Sequence, residues 1–187
     1  TESPGKCQST PVVRGGQVSA RLQRTRRGRP PRIPTGRQTA WGIWLGRLTG
    51  GADVVFGVTV AGRSAELAGV EQMVGLFINT LPLRMALPPQ LPLSDLLRRT
   101  QESQSRLMAH QHIGLAEIQQ AAAISALFDT LLVFETYPVD RARLAAASNG
   151  PRLGRVAGHA APDYPLALIV RPGAQLHVHP DYRTARQ

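Results

Sequence analysis

The chain has 187 residues, enough for one domain with a sizeable core, and aromatics make up only 5% of it. Its net charge of +10 is unevenly spread: residues 1–37 hold Lys6 and eight Arg against Glu2 alone, while the remainder holds thirteen Arg against eleven acids. That near-neutral remainder argues against a nucleic-acid-binding domain, the single Cys7 excludes an intrachain disulfide and a thiolate metal site, and no run approaches the ~18 apolar residues that span a membrane.

Thr1 to Arg37 shows no hydrophobic period. Its Arg cluster, residues 24–32, is interleaved with Pro30 and Pro31, and Pro34 follows; each proline fixes φ and removes an N–H donor. Disorder is expected through residue 37. An Arg-rich arm for nucleic acid or an anionic membrane is the functional rival, but it lacks the aromatics that stack on bases. Another reading is that this tail is not native coding sequence, as after an upstream frameshift. No signal-peptide core precedes the fold, and a cytoplasmic location is expected.

Gln38 to Leu48 has helical spacing in Ala40, Trp41, Trp44, Leu45 and Leu48, with both tryptophans expected in the core and Gly50-Gly51 ending the run. Asp53 to Ala61 reads as a strand. Val54, Phe56, Val58 and Val60 form one face, and the other face is small and mostly apolar, so the strand is placed in the sheet interior. Gly62-Arg63-Ser64 turns the chain, and Glu66 to Val74 is a short helix or loop. From Phe77 the odd positions Phe77, Asn79, Leu81, Leu83, Met85 and Leu87 alternate with polar ones, which predicts a half-buried strand with Pro82 marking a bulge or an edge. Asn79 stands out on that apolar face, because a buried amide left unpaired costs roughly 1–3 kcal/mol. It either pairs with backbone or lines a tunnel.

Pro88 and Pro89 close that strand. A helix runs from Leu93 or Ser94 to about His110 or Gln111, with Asp95 in its first turn and Arg98, Arg99 and Arg106 on the solvated side. A second helix spans Leu115 to about Ala123. Asp129 to Tyr137 contains the continuous apolar run Leu131–Phe134, the pattern of a fully covered central strand. Residues 141–161 are Ala- and Gly-rich with weak strand character near Val156. Leu166 to Val170 and Gln175 to Pro180 form a hairpin around Pro172-Gly173, with His177 and His179 on a wet sheet edge.

The histidine pairs His110/His112 and His177/His179 invite a zinc reading, but no acid or Cys supplies a third ligand at a suitable spacing, so no metal is expected. Neither a Gly-x-Ser-x-Gly elbow nor a phosphate-binding loop is present, and no catalytic residue is assigned.

Gly75-Leu-Phe77-Ile-Asn79-Thr80 resembles the Gly-x-Phe-Val-Asn-Thr motif of nonribosomal peptide synthetase condensation domains, and Arg84 follows it. Asp53 to Arg63 is similar to the strand preceding that motif. His110-Gln111-His112-Ile-Gly-Leu-Ala-Glu117 resembles the later His-Gln-Asp-x-Pro-Phe-Glu motif, with departures at His112, Leu115 and Ala116. Phe128 to Pro138 is similar to the next strand, and Asp163-Tyr-Pro165-Leu166 echoes the last motif, which ends Asn-Pro-Leu. The resemblance covers about Gln38 to Arg183. It implies an α/β fold: a mixed sheet with packed helices, forming one lobe of a chloramphenicol-acetyltransferase-like two-lobed architecture. Residues 38–187 would be the C-terminal lobe.

The family's His-His-x-x-x-Asp-Gly motif belongs to the other lobe and does not occur here. The resemblance therefore implies a partial domain, inactive alone, of an enzyme that forms amides between acyl and aminoacyl thioesters. Those thioesters ride on phosphopantetheine arms of carrier proteins, and no cofactor binds the lobe directly. Asn79 and Thr80 would line the substrate tunnel. Gly75, Phe77, Arg84, His110, Gln111, Asp163 and Pro165 would be structural, and Glu117 a helix cap. Implied partners are carrier-protein domains and the missing N-terminal lobe, with self-association through the uncovered apolar surface. The alternative is a non-catalytic module that docks a carrier protein or the partner lobe.

Overall fold

A computed structural model describes residues 7–9, 12–14, 33–63, 67–135, 164–171 and 176–183. Among these residues seven strands form one mixed sheet: β1 (Cys7–Ser9), β2 (Val12–Arg14), β3 (Asp53–Val60), β4 (Asn79–Ala86), β5 (Thr130–Phe134), β6 (Leu166–Arg171) and β7 (Leu176–Arg183). Their order is β1-β7-β6-β5-β3-β4, with β2 also on β7. The pairs β3–β5 and β5–β6 are parallel, and the others are antiparallel. Among the described residues three α-helices accompany the sheet, α1 (Ile33–Thr49), α2 (Leu93–Ala109) and α3 (Leu115–Ala122), with one 3-10 turn at Val70–Gln72. No helix among the described residues is long and apolar enough to cross a membrane.

The register explains the core. Val54, Phe56 and Val58 lie opposite Met85, Leu83 and Leu81, and Val58 lies beside Leu132. These residues share one face and pack with Trp41 and Leu45 of α1 and Leu96 of α2. Phe56 and Leu132 are completely buried, and each such side chain contributes ~1.5–3 kcal/mol. The opposite face is pinned at Gly57, where a Cβ would stand 2.4 Å from the ring of Phe128, which stacks on Tyr164 at 5.3 Å. Only glycine admits that ring.

The strand β3 is interior, as its two apolar faces require, and β4 is an edge among the described strands, as Pro82 allows. The amide of Leu87 donates to the Ala52 carbonyl at 2.7 Å, so the odd residues of β4 bond to β3 and the even ones, Pro82 included, face outward. Pro82 thus removes no ladder bond.

Several expectations are corrected. The first helix starts at Ile33, five residues earlier than its apolar period suggests, and Thr35 is fully buried, its hydroxyl donating to Gln104 Oε1 of α2 at 3.2 Å. Polar residues with an assigned partner hold this turn, which a hydrophobic count misses. Cys7–Ser9 and Val12–Arg14 run as strands where disorder is expected, because the outer side of β7 offers backbone groups that bond regardless of side chain. For the same reason β7 is not an edge, and His177 and His179 are half-buried within a flanked strand. Trp44 is 47% exposed, stacked outside Trp41 with ring centroids 4.9 Å apart. The strand after residue 76 begins at Asn79, leaving Phe77 in the preceding loop. In β5 only Thr130 and Leu132 are buried; Leu131, Val133 and Phe134 are half-buried. Asp163, His159 and the weak strand near Val156 lie outside the described residues.

Candidate functional site

The two motif stretches meet at the start of β4. Asn79 is half-buried, and its side-chain amide donates to the carbonyls of Gln111 at 2.9 Å and Ile113 at 2.7 Å. Its Oδ1 accepts from the backbone N–H of Thr80 at 2.8 Å. Both amide hydrogens and the carbonyl oxygen are therefore used, and the polar group on the apolar face is satisfied. The partners lie in the turn that follows α2. His110 is the C-cap of that helix, its N–H donating to the Leu107 carbonyl at 3.0 Å. The turn leads into α3 through Gly114.

His110 and His112 are exposed, while Gln111 and Ile113 are half-buried and turned toward Asn79 through their carbonyls. Thr80 is half-buried opposite Thr59. Glu117 sits in the first turn of α3 and is exposed, and the N-cap of that helix is Gly114 with no side-chain cap bond. The capping role expected for Glu117 is corrected accordingly. Its carboxylate stands near the positive end of the helix dipole without reaching a backbone N–H.

A second clamp organises the loop before β4. The guanidinium of Arg63 donates to the carbonyls of Val70 and Met73, the latter at 3.1 Å, and lies 4.3 Å from the Phe77 ring centroid. Sequence reasoning misses Arg63, whose partners are seven to fourteen residues away; its only local signal is the turn at Gly62. The loop so held exposes a run of apolar side chains: Val74 fully, Leu76 at 93% and Ile78 at 63%. Gly75 is exposed between them.

Arg84 lies on the other side of β4 from the core and pairs with Asp53: its Nε donates to both carboxylate oxygens at 3.1 and 2.9 Å and its Nη2 to Oδ2 at 2.6 Å. This pairing holds the Asp53 carboxyl below the usual carboxylate range and raises Arg84 above its ordinary value. Pro165 is exposed, and its carbonyl accepts from the Arg183 N–H at 3.0 Å, joining β6 to β7. Among the described residues no three His, Cys, Asp or Glu side chains come together as a metal site. The arrangement of these groups positions backbone; it presents no nucleophile with an adjacent base.

The Condensation domain family matches residues 18–186, beginning twenty residues before Gln38. Vanchrobactin synthetase VabF of Vibrio anguillarum is 40% identical over 146 residues, covering 78% of this chain and 5% of that protein. Chondramide synthase cmdD of Chondromyces crocatus is 41% identical over 153 residues, which is 80% of this chain and 4% of that protein. The chain thus spans a small fraction of the length of these relatives. Among solved structures, a four-domain nonribosomal peptide synthetase bound to AMP and glycine superposes with a TM-score of 0.82 at 15% identity, over 96% of this chain and 15% of that one. The first condensation domain of the calcium-dependent antibiotic synthetase, in complex with a substrate analogue, gives 0.74 at 19% identity, over 98% of this chain and 41% of that one. These likenesses establish a shared fold.

Proposed function

This chain belongs to the condensation-domain family, and from that premise we propose that its 187 residues act as the C-terminal lobe of a condensation domain in a nonribosomal peptide synthetase. The reaction of the assembled domain is aminolysis of a thioester. The amine of a downstream aminoacyl thioester attacks the carbonyl of an upstream acyl or peptidyl thioester. The tetrahedral intermediate then collapses, the amide forms, and the departing sulfur takes up the proton that the amine has lost. Both thioesters arrive on phosphopantetheine arms of carrier-protein domains and are substrates, not groups resident in this lobe.

The lobe's share of the work is positioning and exclusion of water. The base that accepts the amine proton belongs to the His-His-x-x-x-Asp-Gly motif of the other lobe. The observation that carries this reading is the Asn79 clamp, which ties together the two stretches that resemble family motifs. Asn79 and Thr80 stand at the tunnel wall. Because the amide of Asn79 is spent on backbone carbonyls, it is a positioning residue and not a donor to substrate.

The test is amide formation between two loaded carrier proteins, with this chain alone and with an N-terminal lobe added. No turnover alone and turnover after complementation are expected. Turnover by the chain alone, lost on replacing any one of His110, His112, His159, His177 or His179, overturns the reading.

The exposed run Val74, Leu76 and Ile78 favours a second reading, a non-catalytic module that pairs with the other lobe or a carrier protein, or with itself. In that case complementation yields a stable complex without turnover.

A further inference from the structure

A cleft of about 370 Å³ lies between the outer edge of β4 and α2, away from the Asn79 clamp. Arg84, Met85 and Ala86 form one wall, and Leu96, Thr100, Arg99 and Arg106 are among the residues of the other. Two independent features converge on it.

The first is the state of the strand edge. The even residues of β4 face outward. Thr80 gives its N–H to Asn79 Oδ1, and Pro82 has none to give. Those two positions block the first half of the edge against another strand. Arg84 and Ala86 remain, with outward N–H and C=O groups that have no partner among the described residues. The unblocked part of the edge is therefore the part that lines the cleft.

The second is charge. Arg98 is occupied by Asp95 at 3.6 Å and Glu102 at 3.0 Å, and Arg84 by Asp53. Among the described residues Arg99 meets no acid, and Arg106 donates only to Ser103 Oγ at 3.3 Å. Both are exposed and lie seven residues apart, about 10.5 Å along the helix axis. The one acid that lines the cleft, Glu102, is taken by Arg98, so two guanidinium groups that form no ion pair among the described residues stand beside an open strand edge and complement an acidic chain in extended form. On one face of such a chain, side chains recur about every 6.7 Å, so acids two or four residues apart fall within reach of both arginines.

We propose that this cleft docks an acidic, extended segment of a partner protein, which adds to β4 at Arg84–Ala86 and places its carboxylates on Arg99 and Arg106. Backbone bonding along the edge supplies the main contacts and the arginines select for charge, the usual division of labour in strand addition.

The experiment uses the full chain and a fluorescein-labelled octapeptide of alternating Val and Glu, read by fluorescence anisotropy. Binding that weakens as salt is raised is expected. Arg99→Gln and Arg106→Gln should each weaken it about tenfold, in line with loss of one charge-assisted hydrogen bond. Arg47→Gln, an exposed arginine on α1, should leave it unchanged. Amide exchange at Arg84 and Ala86 should slow when the peptide is present. A peptide N-methylated at alternate residues keeps the charges and removes the strand donors, so it should fail to bind. Equal binding by the N-methylated peptide, no effect of the two arginine variants, or no binding by the parent peptide overturns the proposal. So does displacement of the peptide by equimolar inorganic phosphate or by a short oligonucleotide.

Discussion

The carbonyl oxygen of Phe77 lies 1.7 Å from the point where a Cβ on Gly62 would stand, and Gly62 holds φ at +64°. The close approach lets Arg63, the next residue, cover the Phe77 ring and bind the Val70 and Met73 carbonyls. Gly62→Ala should therefore cost more than the ~1–2 kcal/mol of a left-handed non-glycine residue, because the backbone at Phe77 must also move. Urea denaturation checks this. A loss below about 0.5 kcal/mol, within the range of an ordinary surface substitution, would show that the loop tolerates the change.

Leu132 and Phe134 share a face of β5 but differ in cover. Leu132 has no exposure, whereas Phe134 is half-buried with the Arg37 guanidinium 5.8 Å from its ring centroid. Leu132→Ala should destabilise by about 2–5 kcal/mol, and Phe134→Ala by less than the ~3–5 kcal/mol of a core phenylalanine. Chemical denaturation of both variants is the check, and a larger loss at Phe134 contradicts this packing.

Asp53 and Arg84 set a pH dependence. The Asp53 carboxyl is held low chiefly by its hydrogen bonds from Arg84. A depressed folded value means that the contribution is present above the unfolded value of ~3.9 and is lost as pH falls through the folded one. Asp53→Asn should give up that contribution near neutrality, a small loss for an exposed pair, and the two proteins should converge as pH falls below about 4, which flattens the acid limb of the variant's stability curve. The pair is exposed, so high salt should shrink the difference between the two proteins. Thermal melts from about pH 2 to 7 at two salt concentrations decide it. An equally steep acid limb in the variant would assign the limb to other carboxylates.

What the sequence discloses follows the range of the interactions. Strand β3 and the edge position of β4 were legible because alternation and a single proline report on neighbours in the same strand. Helix α2 was legible from its apolar stripe, its breakers and Asp95. The first turn of α1 was not, because Thr35 is buried by a bond to Gln104, 69 residues away. Nor was the flank of β7, which takes its partners from the opposite end of the chain through backbone alone. Trp44 shows the converse: helical spacing puts it beside Trp41, but only packing decides which ring faces the core. At the site, the anomaly of a polar residue at Asn79 was visible, while its partners, 32 and 34 residues on, were not. Arg63 gave no local signal beyond the turn it sits in.

The last prediction concerns that anomaly. Asn79 donates twice, to the Gln111 and Ile113 carbonyls, and a carboxylate in its place can donate to neither. In Asn79→Asp the new oxygen would face two carbonyl oxygens, so the ionised form is disfavoured in the folded state and its folded pKa lies above the unfolded one. The variant should therefore gain stability as pH falls, since the protonated carboxyl can donate one of the two bonds. Asn79→Ala, with nothing to titrate, should lose roughly 1–3 kcal/mol at every pH, the cost of leaving a carbonyl pair unsatisfied. Turnover after complementation with the N-terminal lobe separates positioning from stability. If Asn79 orders the turn at residues 110–114 for the tunnel, Asn79→Asp should recover turnover toward acid pH, relative to the parent chain, while Asn79→Ala should not. Parallel pH profiles for the two variants, measured where both remain folded, would show that the clamp matters only to the fold.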